Sequence, residues 1–163
     1  MTKSAKIRFA EGDDRQALLQ ELEAVYGISP KVFDNYDFVV KGRKQKIWIV
    51  TSTVKKLDLC GLKPMSYGMY FAKYDRTGLR LTMNGAQAFG SAATKNVIDL
   101  SKQQFLDYLA GENITGIDIE LEGYVLLRYK GAICGCGKVF REGILSYISK
   151  SRRLVKKEGE IVL

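Results

Sequence analysis

Apolar residues along this chain switch between helical and strand spacing. Leu18, Leu19, Leu22, Val25 and Tyr26 recur at helical intervals. The acids Glu11, Asp13 and Asp14 stand at their start, where carboxylates meet the positive end of a helix dipole. Gly27 is placed to cap this helix and Pro30 to stop it. Residues 6–10 read as a short strand before it. Residues 33–41 and 45–51 alternate as two strands, with Gly42, Arg43 and Lys44 as a hairpin turn between them. Ser52 or Thr53 then caps a short helix carrying Val54, Leu57 and Leu59, which Gly61 ends. Residues 64–68 read as a bend, 69–73 and 79–82 as strands around a turn at 75–78, and 84–89 as a short helix ending at Gly90. A strand at 97–100 leads to Ser101, the cap of a helix over 102–110 with Phe105, Leu106 and Leu109 on one face and Gly111 at its end.

The organising stretch comes last, LEGYVLLRYKGAICGCGKVFREGILSYISKSRRLV at 121–155. Strands at 123–127, 132–139 and 144–149 are separated by turns at Lys130–Gly131 and Glu142–Gly143. Such a meander closes into a small sheet or barrel. Trp48, the only tryptophan, reads as core or semi-buried in preference to a base-stacking platform.

Composition adds direction. A hydrophobic content of 46% supports a real core. No run of 18 apolar residues indicates a membrane span, and the N-terminus lacks the apolar stretch of a signal peptide. The formal net charge of +8 favours a polyanionic partner, against the plainer reading of a lysine-rich solvated surface. The charge is segregated. From Tyr124 to Leu163 nine basic residues face three acidic ones, whereas Gln103 to Gly123 holds five acids and no base. Three cysteines and the absence of a signal peptide suit a reduced, cytoplasmic chain. Cys134 and Cys136, two apart in a strand pattern, are expected on one face and read as small packing residues, not as a metal site.

Enzyme chemistry finds little purchase. The chain has no histidine, which removes histidine-dependent acid–base catalysis and the common zinc hydrolase sites. Gly135, Gly137 and Lys138 hint at a phosphate loop, but Ala132 and Val139 stand where a Walker sequence needs glycine and serine or threonine. Phe140 likewise replaces the last glycine of a dinucleotide fingerprint. The glycines at 135 and 137 suit either close backbone packing or close approach to a ligand. No cofactor or metal is expected.

Residues 97–100 (VIDL), the helix running to AGENI at 110–114, and GYVLL at 123–127 through GCGK at 135–138 together resemble the PUA family of RNA-binding domains. They are more closely similar to the PUA-like tail of Sun-type RNA cytosine-5 methyltransferases, especially archaeal ones. LRLTMNGAQ at 79–87 looks like the start of that tail, and the likeness covers about 65–155. The N-terminal part is only loosely similar to the pre-PUA domains of two-domain ribosome-assembly proteins. The enzymes' catalytic Pro-Cys pair is missing here, since Pro30 and Pro64 precede Lys31 and Met65. Their glycine-rich S-adenosylmethionine loop is missing too, and 163 residues leave no space for their catalytic domain.

The expected architecture is therefore α+β: a small N-terminal α/β domain at 1–74, then a PUA-like β pseudo-barrel at 75–163. The resemblance implies non-catalytic binding of structured RNA, tRNA or rRNA, in RNA modification or ribosome biogenesis. By carry-over the contact residues are Gly85, Gly90, Lys130, Lys138, Arg152, Arg153 and Lys156, with the paired arginines on phosphate. The basic tail is read as this contact in preference to the plainer alternative of a solvated end. Rival readings are a protein-interaction module and an accessory subunit of a separate RNA methyltransferase.

Overall fold

The computed structural model describes residues 7–41, 46–57 and 67–155. The turn at Gly42–Lys44, Leu59, Gly61, the bend at Pro64 and the candidate Lys156 lie outside the described residues.

Two five-stranded sheets share the chain. The first runs β1 (Ile7–Phe9), β2 (Tyr36–Lys41), β3 (Lys46–Thr51), β4 (Met69–Asp75) and β5 (Gly78–Leu81), in chain order and antiparallel throughout. Helix α1 (Gly12–Tyr26) lies between β1 and β2 in sequence and ends on Gly27 in the left-handed conformation, as its position predicts. Pro30 opens a 3-10 turn, Pro30–Phe33. Where a capped short helix is expected after β3, the chain makes a 3-10 turn at Ser52–Lys56 with no side-chain cap.

The second sheet is ordered β6 (Val97–Asp99), β8 (Tyr124–Tyr129), β9 (Ala132–Phe140), β10 (Gly143–Ser146) and β7 (Ile114–Thr115). The expected meander is β8–β9–β10, and β6 adds to it in parallel. Two details differ from the sequence reading. The short β7 was not foreseen, and the third meander strand stops at Ser146, with a 3-10 turn at Lys150–Arg152 farther on. Helix α2 (Met83–Phe89) bridges the sheets, and α3 (Lys102–Ala110) covers the second one. The α3 N-terminus carries a reciprocal capping box between Ser101 and Gln104.

The α+β expectation is met, and packing explains how the sheets combine. Strand β8 is buried on both faces, which is why its sequence is an unbroken apolar run. Tyr124 and Leu126 join a core with Leu22 and Tyr26 of α1, Phe38, Phe71 and Phe89. Val125 and Leu127 point the other way, into a second core with Tyr108 of α3, Ile114 and Ile144. Residue 75, the expected boundary, is the last residue of β4 and sits in the β4–β5 hairpin. Because one core holds residues from both sheets, heat or urea should unfold the chain in a single transition. Tryptophan fluorescence, reporting Trp48 in the first sheet, and far-ultraviolet circular dichroism should give coincident curves. Two separated midpoints would show independent domains.

The two cysteines do not share a face. A bulge between Leu127 and Arg128 of β8 leaves Cys134 as an extra residue opposite them. Cys136 therefore enters the first core, while Cys134 packs against the second. Burial pushes the Cys136 thiol up to about 12, so it stays protonated. No cluster of potential metal ligands occurs among the described residues. Gly135 and Gly137 serve packing: a Cβ at Gly135 would lie 1.9 Å from the Tyr108 hydroxyl, and one at Gly137 2.3 Å from the Ile144 side chain.

Candidate functional site

Helix α2 starts where β5 ends. Thr82 caps it, its hydroxyl accepting from the Gly85 amide at 3.0 Å. The C-terminal 3-10 turn reaches this same helix start, and Arg152 donates to Asn84 Oδ1 at 2.6 Å. Between them opens a groove of about 350 Å³, whose lining includes Tyr70, Arg80, Asn84, Tyr147, Ser149 and Arg152. Arg80 stacks on Tyr147, guanidinium carbon to ring centre 4.3 Å. Its buried Nε has no hydrogen-bond partner. Among the described residues no carboxylate lines the groove, so two guanidiniums, two serines and an amide face an opening suited to an anion.

The aromatic ladder continues along the molecule. Tyr147 meets Tyr124 with ring centres 6.0 Å apart, and the Lys138 ammonium lies 5.6 Å from the Tyr124 centre. Lys138 also donates to the Thr77 hydroxyl at 3.0 Å. The Tyr124 hydroxyl donates to Asp75. Partial burial would raise the Asp75 carboxyl, but hydrogen bonds from Tyr124 and Thr77 and the charge of Lys138 outweigh it and hold it below its ordinary range. The Lys138 charge is thus partly answered within the protein.

The expected contact residues divide. Arg152 lies in the groove, and Lys138 stands at the far end of the ladder. Lys130 sits in the β8–β9 turn with φ +47°, its ammonium over the Tyr129 ring at 5.5 Å. Arg153 parts from its neighbour and folds over Gly111, at the end of α3, where helix carbonyls favour a cation. Gly85 and Gly90 are buried: a Cβ at Gly85 would lie 2.2 Å from the Phe71 carbonyl oxygen, and one at Gly90 2.9 Å from Ile133. The sequence reading missed Arg80, Tyr147, Tyr70 and Asn84. Arg80 is the outward position of an alternating strand, and its value depends on a tyrosine far away in the chain.

Comparison with known proteins agrees with this architecture. Residues 95–154 match the model of the methyltransferase RsmF PUA domain. The ribosomal RNA small subunit methyltransferases F of Aeromonas hydrophila and Psychromonas ingrahamii are 26% identical over 127 residues and 24% over 131, covering 77% and 76% of this chain. This chain spans about a quarter of the length of these relatives, 25% in each case. They are bacterial, whereas the sequence resemblance pointed foremost to archaeal enzymes. A crystal structure of a PUA domain from Aeropyrum pernix, in complex with tartrate, superposes with a TM-score of 0.54 at 15% identity, covering 86% of this chain and 74% of the other. Residues 95–154 are therefore similar to the PUA-like family of domains, and the chain has the α+β fold of a solved PUA domain. Within that family the match is to the kind found in methyltransferase RsmF, a PUA domain and not a catalytic one.

Proposed function

We propose that the protein binds structured RNA, rRNA or tRNA, through the groove between α2 and the Lys150–Arg152 turn, without catalysing a reaction itself. The observation that carries this is the groove holding Arg80 and Arg152 beside exposed hydroxyls and an amide, with no carboxylate in its lining among the described residues. Such a set grips phosphate oxygens and reads backbone shape more than base identity. The resemblance to the PUA domain of an rRNA methyltransferase supports a role in RNA modification, with a methyltransferase as partner, in the cytoplasm. The assignment of RNA binding to 75–163 and of a pre-PUA-like role to 1–74 belongs to this proposal.

The test is binding of a structured RNA and a matching DNA duplex at two salt concentrations. The RNA should bind more tightly, and its affinity should fall with salt by a slope of about 0.7–0.9 per neutralised phosphate. Arg152→Ala should lower that slope by about one and weaken binding evenly across sequences. Arg153→Ala, with its side chain on α3, should do less. The protein-docking rival has one observation in its favour, an apolar cleft of about 580 Å³ between Ile49, Val54, Met69 and Phe89. On that reading RNA affinity would be weak and insensitive to Arg152.

A further inference from the structure

The outer face of the first sheet carries an arrangement that its own stability does not require. Lys46 on β3 stands directly opposite Lys73 on β4, and Lys73 directly opposite Arg80 on β5. Opposed residues of antiparallel strands share a face, so three cations lie in a row across three strands. Like charges placed this way repel. Among the described residues no carboxylate forms an ion pair with any of the three. Beside the row, Trp48 and Tyr70 are also directly opposed, ring centres 5.1 Å apart and planes inclined by 31°. Both are half-buried and lie outside the core clusters. The Lys46 ammonium sits 5.9 Å from the Tyr70 ring centre.

A bulge makes this possible. The β3–β4 register shifts between Ile47 and Trp48, leaving Phe71 without a partner on β3. That extra residue brings Tyr70 and Lys73, three apart in sequence, to the same face. Tyr70 and Arg80 also line the groove, so face and groove are continuous.

We propose that the outer face of β3, β4 and β5 is a stacking platform for unpaired RNA bases, with Trp48 and Tyr70 taking bases and Lys46, Lys73 and Arg80 taking the phosphates between them. Aromatic rings backed by a cationic track bind single strands in this way. The proposal rests on the RNA-binding reading and adds a substrate class: structured RNA with an adjoining single-stranded tail.

The test uses the full chain, a blunt RNA hairpin, the same hairpin with a short unpaired tail, and the tail alone. Trp48 is the only tryptophan, so its fluorescence reports the platform directly. The tail should tighten binding about tenfold and quench Trp48, and the blunt hairpin should leave the emission unchanged. Trp48→Ala should abolish the tail's gain and leave blunt-hairpin affinity intact. Lys73→Glu should reduce the gain while leaving the protein at least as stable as wild type, because it relieves the repulsion with Lys46 and Arg80. Equal affinity for tailed and blunt hairpins, or unquenched Trp48 with tailed RNA bound, would overturn the platform and leave the groove reading standing. Failure of all three RNAs to bind would overturn both.

Discussion

Phe71→Ala should destabilise the protein by about 3–5 kcal/mol, the cost of a large aromatic cavity in a core that cannot collapse around it. Phe71 is fully buried. Its ring meets Phe38, Phe33 and Phe89 with centres 5.6, 5.8 and 5.5 Å away. These neighbours come from β2, the turn before it and α2, so no one of them can shift into the space without leaving its own strand or helix. In a urea titration the midpoint should fall with an unchanged slope, and the melting temperature should drop by about 10 °C. A loss below about 1.5 kcal/mol would mean that the aromatic cluster relaxes, against the packing described. The α2–β4 contact also forms one wall of the groove, so RNA affinity should weaken once the variant begins to unfold, in proportion to the folded fraction.

What the sequence made legible follows from how local each signal is. Helices α1 and α3 were readable to within a residue or two because caps and periodicity sit in the same short stretch: Gly27 and Gly111 are left-handed ends and Ser101 is a real N-cap. The β8–β9–β10 meander was readable for the same reason. Strand β7 was not, since two residues give no period and it exists only by pairing with Gly143 and Ile144. Bulges were the other blind spot. Counting by twos put Cys134 and Cys136 on one face, and one extra residue in β9 separates them. A similar bulge in β4 puts Tyr70 and Lys73 together, which no alternation pattern would suggest.

The candidate site was less legible than the fold. The structure places Arg152 beside the groove, and charge segregation along the chain could not separate it from Arg153, from which it differs only in which helix it meets. Arg80 and Tyr147 form one stacked unit although they stand 67 positions apart in the chain. Glycine was the weakest guide. A glycine near a candidate interface reads equally as ligand approach or protein approach, and only the neighbouring atoms decide.

Gly85 is where that ambiguity has its sharpest test. Alanine normally improves a helix over glycine by about 0.5–1 kcal/mol. Here the new Cβ would stand 2.2 Å from the carbonyl oxygen of Phe71. That oxygen is backbone, held in place by the Thr82 amide at 2.9 Å and the Thr82 hydroxyl at 3.1 Å. It cannot swing aside as a flexible side chain would, so α2 must lift off β4 and lose its cap. The clash outweighs the propensity gain, and Gly85→Ala should cost about 3 kcal/mol net. Gly90→Ala should cost only about 1 kcal/mol, because the obstacle at 2.9 Å is the side chain of Ile133, which can adjust. Urea denaturation of the two variants beside wild type measures both. A Gly85→Ala protein as stable as wild type but unable to bind RNA would make Gly85 a contact residue. A destabilised protein whose folded fraction still binds normally makes it the seat of α2, holding Asn84 where Arg152 can reach it.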